Sequence, residues 1–294
     1  MLLALLKSMR PKQWPKNGFL FAGLIFDGQL LSPVPFARTL AGFVLFCLLS
    51  SAVYLLNDIT DLEADRQHPK KKYRPIASGE LPVPAARVAI IVLLLTILPL
   101  AYFLSTGFFI IAILYLVVNI AYSTWLKHIP ILDVLILASL YVLRVGAGVE
   151  LIKVAEFSPW LYVFTTFLAL FLGVGKRRAE LNLLPEYANM IRPVLGGYTL
   201  PLLDQLLMLV STSTIMTYSL YTFSGNKLPG NHSMMLTIPF VMYGIFRYLY
   251  LVQVEHSGSA PEDVLLTDRP MQVTLILFGL AILVIFYILP SYIS

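Results

Sequence analysis

Apolar residues along this chain gather in long unbroken runs, and the polar residues are confined to the stretches between them. Runs of about 20 apolar residues match the hydrocarbon thickness that one helix must cross. The pattern predicts nine spans, at 17–32, 37–57, 84–104, 107–125, 131–152, 159–175, 197–222, 234–253 and 272–291. Helix is expected for each, because lipid offers no water to satisfy an open sheet edge. Ser105-Thr106-Gly107 supplies the turn between the third and fourth spans. Pro130, Pro159 and Pro270 fall near helix starts, where a missing amide hydrogen costs least. The expected fold is an all-α, polytopic membrane protein, one domain over 1–294. Its longest polar connections are 58–83, 176–196 and 254–271.

Composition agrees with that pattern and excludes a soluble fold. Hydrophobic residues make up 58% of the 294 and charged residues 13%, about half the charge of a soluble domain. The lone Cys47 sits in an apolar run, so an intrachain disulfide is excluded and a packing role is expected. Met1 to Lys7 is too short, and its charge falls on the wrong side, for a cleaved signal peptide; an amphipathic lead-in is expected.

Charge then orients the chain. With the N-terminus inside, the cytoplasmic side receives Lys7, Arg10, Lys12, Lys16, Arg66, Lys70, Lys71, Lys72, Arg74 and Arg87. It also receives Lys127, Lys176, Arg177, Arg178, Arg192 and Arg269, against Arg38, Lys153 and Lys227 on the other side. Sixteen against three is a strong positive-inside bias. Of the 16 acidic residues, only Asp27, Glu150 and Glu156 fall outside. Topology does not demand that; a polar site at the cytoplasmic end of a bundle does. The net charge of +5 therefore points to topology and anionic ligands rather than to nucleic acid.

The sharpest chemical signal is Asn57-Asp58-Ile59-Thr60-Asp61-Leu62-Glu63-Ala64-Asp65. On a helix continuing past the membrane surface, Asn57, Asp58, Asp61 and Asp65 share one face on successive turns. Stacked carboxylates repel unless cations lie between them, and Mg²⁺ commonly binds through carboxylates together with substrate phosphates. Arg66 to Arg74 follows as a basic loop that anchors at the membrane surface or closes over an anion. Arg10-Pro11-Lys12-Gln13-Trp14-Pro15-Lys16-Asn17 combines an interfacial tryptophan with Lys16 and Asn17, placed to face a cavity. Asp133 and Arg144 lie on one span with Arg144 about 16 Å deeper; an ion pair to another helix and a ligand role are both open for it. Lys176-Arg177-Arg178 forms a candidate phosphate site after the sixth span.

Taken together, these segments resemble the UbiA superfamily of intramembrane prenyltransferases, whose members bind a prenyl diphosphate through Mg²⁺ at two aspartate-rich motifs. The second motif is replaced here by Lys176-Arg177-Arg178-Ala179-Glu180-Leu181. That departure, with Arg10 to Asn17, His68-Pro69, Tyr73 to Gly79, Tyr122-Ser123, Leu126-Lys127, Leu132-Asp133, Leu143-Arg144, Pro261-Glu262-Asp263 and Asp268-Arg269, resembles the branch that moves phosphoribose to decaprenyl phosphate. The resemblance implies a nine-helix bundle with a cytoplasmic-side cavity in the cell (inner) membrane. It implies Mg²⁺ on Asn57, Asp58, Asp61 and Asp65, with Asp58 and Asp61 catalytic. Lys16, Asn17, Arg66, Lys72, Arg74, Tyr122, Lys127, Lys176, Arg177 and Arg178 would bind substrate. The donor would be phosphoribosyl diphosphate and the acceptor a polyprenyl phosphate; nucleic acid is not a partner, and a homo-oligomer is compatible with the pattern. Two other readings stand beside it. An ordinary prenyltransferase needs the missing second aspartate motif, and a transporter is expected to hold its polar groups near the midplane rather than at one face.

Overall fold

The computed structural model describes residues 1–68, 71–152, 158–183, 193–224, 228–255, 264 and 267–289. Lys70, Lys153, Glu156, Arg192, Lys227 and Pro261 to Asp263 lie outside the described residues. A short α1 (Leu2–Ser8) leads into a 3₁₀ stretch (Pro11–Leu20) and α2 (Phe21–Phe26). Then follow α3 (Pro33–Thr60), α4 (Leu62–Gln67), α5 (Val83–Leu104), α6 (Thr106–Thr124) and α7 (Leu132–Ile152). The chain continues through α8 (Pro159–Leu183), α9 (Leu200–Ser224), α10 (Ile238–Gln253) and α11 (Arg269–Leu283). Among the described residues there is no strand, and eight helices are long and apolar enough to cross a membrane. The all-α expectation is met.

The first of the nine expected spans takes another form. Pro11 and Pro15 lack amide donors, and the ring of Pro15 opposes an α-helical carbonyl one turn back. The stretch winds as 3₁₀ to Leu20; within the expected 17–32 only Phe21–Phe26 is α-helical before the chain turns at Asp27-Gly28, so this run is not among the eight helices long enough to cross. It nevertheless runs antiparallel along α3. The Trp14 indole donates to Ser51 Oγ at 3.1 Å, and Asn17 Nδ2 donates to Ser50 Oγ at 3.2 Å. Farther on, Phe21 stacks against Phe43, with ring centroids 5.7 Å apart. Advancing from Trp14 to Phe21 thus means retreating from Ser51 to Phe43.

The chain groups into two compact units. The first holds Met1–Ile25, Gln29–Lys127 and Leu143–Val154. Within it α3 packs against α5 and α6, over a core that includes Leu55, Ile76, Leu81 and Ala86. Arg38 closes two helix ends there, donating to the Leu151 carbonyl at 2.8 Å and the Leu104 carbonyl at 2.6 Å. These are carbonyls that an α-helix leaves unpaired at its C-terminus. The second unit holds Phe26–Gly28, His128–Val142 and Ala155–Ser294. There α8 lies along α9, α10 packs on both and on α11, and Phe171, Leu203, Leu207 and Tyr248 fill the core.

Candidate functional site

The aspartates lie where α3 runs out of apolar residues. The Asp61 amide donates to the Asn57 carbonyl at 2.9 Å, and the Asp65 amide donates to the Asp61 carbonyl at 2.8 Å. Helical spacing therefore carries through Asp61 from α3 into α4, and Asn57, Asp58, Asp61 and Asp65 keep one face. Asp58 and Asp65 are almost fully buried, at 2% and 1% exposure. A carboxylate withdrawn from water to that degree needs partners.

The first unit supplies them from three directions. Arg10 donates to Asp58 Oδ1, and its guanidinium lies 4.9 Å from the Tyr54 ring centroid. Arg74 bridges two carboxylates, 3.1 Å from Asp58 Oδ1 and 2.6 Å from Asp65 Oδ2. Lys71 Nζ lies 3.9 Å from Asp65 Oδ1, and Lys127 Nζ donates to Asp61 Oδ1 at 2.6 Å. Ser123 donates to Asn57 Oδ1. Arg10 reaches Asp58 from a left-handed backbone, φ 53°, a conformation that costs a non-glycine residue about 1–2 kcal/mol.

Of the other expected substrate groups in this unit, Lys16 and Tyr122 are half-buried, and Lys72 is exposed with its ammonium 5.2 Å from the Tyr73 ring centroid. Arg66 is exposed and pairs along its own helix with Glu63 at 3.0 Å. Asn17 is buried and serves a second network. Its Oδ1 accepts from Arg144 Nε at 2.8 Å, while Arg144 NH2 donates to Tyr115 OH at 2.8 Å. The Asn17 amide turns to Cys47 Sγ at 3.4 Å as well as to Ser50. Arg144 is thus held by Asn17 and Tyr115, and Cys47 is buried as expected.

The basic stretch after the sixth expected span lies in the second unit, and two of its cations are engaged by acids. Arg177 is fully buried; its Nε donates to Asp133 Oδ2 at 2.7 Å and its NH1 to Glu180 at 2.7 Å. The Tyr198 hydroxyl donates to Asp133 Oδ1 at 2.6 Å and accepts from the Ile131 amide at 2.5 Å. Burial and the hydrogen bond to Asp133 both push the Tyr198 phenol above its ordinary range. Ile131 has φ 70°, an outlier for a β-branched residue, and this chain of bonds holds it. Arg178 donates to Asp204 and to the Val252 carbonyl, both at 2.9 Å. Lys176 is half-buried. Sequence reasoning missed Arg10 as a partner of Asp58, Tyr115 as a partner of Arg144, and Tyr198 altogether. The only available signal was the rule that a buried charge must be paired.

Among the described residues, no group of three His, Cys, Asp or Glu side chains is set to hold a metal unaided. The chemistry of the donors still fits a hard divalent cation. Asn57, Asp58, Asp61 and Asp65 offer oxygen ligands only, and Mg²⁺ keeps several positions for water and substrate phosphate.

In the first unit, buried carboxylates at the end of α3 lie beside half-buried guanidinium and ammonium groups, in a protein whose described residues include eight helices long and apolar enough to cross a membrane. The profile of the UbiA prenyltransferase family matches residues 18–264. The chain belongs to this family. Decaprenyl-phosphate phosphoribosyltransferase of Mycobacterium tuberculosis (strain ATCC 25618 / H37Rv) is 36% identical over 275 residues, covering 90% of this chain and 88% of that protein. The protein of the same name from Corynebacterium glutamicum is 32% identical, covering 98% of this chain and 88% of its own length. The fold is similar to that of a UbiA homolog from Archaeoglobus fulgidus bound to GPP and Mg²⁺, with a TM-score of 0.73 and 19% identity over 97% of this chain and all of that one.

Proposed function

We propose that this protein moves the 5-phosphoribosyl group from phosphoribosyl diphosphate to decaprenyl phosphate or a closely similar polyprenyl phosphate, releasing pyrophosphate. The carrying observation is the match, over 90% or more of the chain, to relatives that bear one activity in their names. The product would feed arabinose donors for cell-wall synthesis. Asn57, Asp58, Asp61 and Asp65 would hold Mg²⁺, which when bound neutralises charge on the leaving diphosphate.

The chain's own side chains do the rest. Arg10, Arg74 and Lys127 present guanidinium and ammonium groups beside the same carboxylates, where phosphate oxygens would accept from them. A phosphate oxygen of the lipid attacks the anomeric carbon of the ribose as the bond from that carbon to the diphosphate oxygen breaks. The lipid phosphate is already an anion at neutral pH, so no general base is assigned; positioning and electrostatics carry the rate. Within the first unit, Lys16 and Lys72 are the candidates for the 5-phosphate. Arg177 and Arg178, engaged by Asp133, Glu180 and Asp204, act by holding their helices. The site faces the cytoplasm, with the N-terminus on that side, as the sixteen-to-three basic bias supports.

The test is donor choice. Purified protein with Mg²⁺ and decaprenyl phosphate is expected to release pyrophosphate from phosphoribosyl diphosphate and to form lipid-linked phosphoribose by mass spectrometry. Asp58→Asn or Asp61→Asn is expected to lower turnover at least about 100-fold. Transfer from a prenyl diphosphate instead, or near-normal turnover in both variants, would overturn the reading.

A further inference from the structure

The same carboxylates that would take a metal are committed to cations of the chain itself. Asp58 is held by Arg10 and Arg74, Asp65 by Arg74 and Lys71, and Asp61 by Lys127. Three carboxylates thus face four cations, two of the carboxylates being nearly inaccessible to water. A lone divalent cation entering this cluster would add positive charge to an already positive site. It would also strip the half-buried Arg10 and Arg74 guanidinium groups of their acceptors, which costs hydrogen bonds that the metal cannot replace. A diphosphate arriving with the metal changes both terms, because it brings negative charge and acceptor oxygens that suit guanidinium geometry.

We propose that Arg10, Arg74 and Lys127 form an internal counterion set that keeps divalent metal off Asp58, Asp61 and Asp65 until a diphosphate is present to receive them. The proposal rests on the diphosphate-binding reading above and deepens it. Metal and diphosphate then bind with positive coupling, each tightening the other by the same factor. Arg74 is central, since its one guanidinium nitrogen spans Asp58 and Asp65.

Equilibrium dialysis of the full chain in detergent, with MnCl₂ and inorganic pyrophosphate as probes, tests this without turnover. The unaltered protein is expected to retain Mn²⁺ alone at least tenfold more weakly than with saturating pyrophosphate, about 1.4 kcal/mol of coupling. Arg74→Gln is expected to bind Mn²⁺ alone at least tenfold more tightly and to lose most of the coupling, whereas Arg74→Lys keeps the exclusion. Should Arg74→Gln fail to fold by thermal melt, Arg10→Gln carries the same expectation. Equal Mn²⁺ binding with and without pyrophosphate in the unaltered protein, or unchanged metal-only affinity in the Gln variants, overturns the counterion role. Coupled binding without phosphoribose transfer would instead defeat only the choice of substrate. Transfer by a protein that binds Mn²⁺ fully on its own would defeat only the counterion role.

Discussion

Arg177 shows how one residue's role turns on its neighbours. In sequence it stands between two other cations and invites a phosphate; in the structure its side chain is sealed between Asp133 and Glu180. Removing either member of a buried pair leaves the other charge stranded, at a cost of about 3–5 kcal/mol. Arg177→Gln and Asp133→Asn are therefore each expected to lower the thermal stability of the detergent-solubilised protein sharply. The double variant should lose less than the two single losses combined, a coupling that a double-mutant cycle reads directly. A freely available phosphate ligand would behave otherwise: Arg177→Gln would leave the melt unchanged and weaken only donor binding. The aspartate face could be read from residue spacing because Asn57, Asp58, Asp61 and Asp65 are linked by helix geometry alone. The partners could not. Arg10 meets Asp58 across 48 residues and Arg177 meets Asp133 across 44, and no local period encodes such pairs.

At the scale of elements, the long apolar runs translated into helices with little loss, since hydrophobic length and backbone satisfaction decide them together. The first run kept only six α-helical residues, Phe21–Phe26: the 3₁₀ stretch that begins at Pro11 continues to Leu20, and the chain turns at Asp27-Gly28, where Gly28 has φ 70°. Its 3₁₀ form brings backbone close to α7. A Cβ added to Gly148 would collide with the carbonyl of Leu20, which as backbone cannot swing away. Gly146 sits two residues earlier in the same helix, where an added Cβ would meet Ile111 Cδ1 at an ordinary 3.7 Å. Gly→Ala in a helix interior is normally favourable by about 1 kcal/mol. Gly146→Ala is expected to follow that rule or be neutral, whereas Gly148→Ala should destabilise by about 1–3 kcal/mol through overpacking. Melting temperatures of the two variants decide it; equal shifts would deny the close approach. The sequence marks both positions as glycine and cannot tell them apart, because the difference is made by a segment more than a hundred residues away.

For the whole molecule, the sequence pattern announced acids collected toward one face, and the structure shows many of them committed to arginines and lysines within each unit. Such pairing makes stability depend on pH, and Asp268 gives the sign. It caps α11 by accepting from the Met271 amide at 2.9 Å and receives Arg247 from α10 through two donors at 3.2 and 2.7 Å. The Arg247 hydrogen bond, aided by that amide, holds the Asp268 carboxyl below the ordinary carboxylate range despite the opposing effect of burial. A carboxyl lowered on folding contributes stability that is fully present above its unfolded pKa and is lost as pH falls through the folded value. Thermal stability is therefore expected to fall on acidification below the ordinary carboxylate range. Asp268→Asn should melt lower than the unaltered protein at neutral pH, and the gap should narrow as the pH drops, since the neutral side chain has no charge left to lose. A gap constant with pH would mean that Asp268 acts through its shape as a cap and not through its charge.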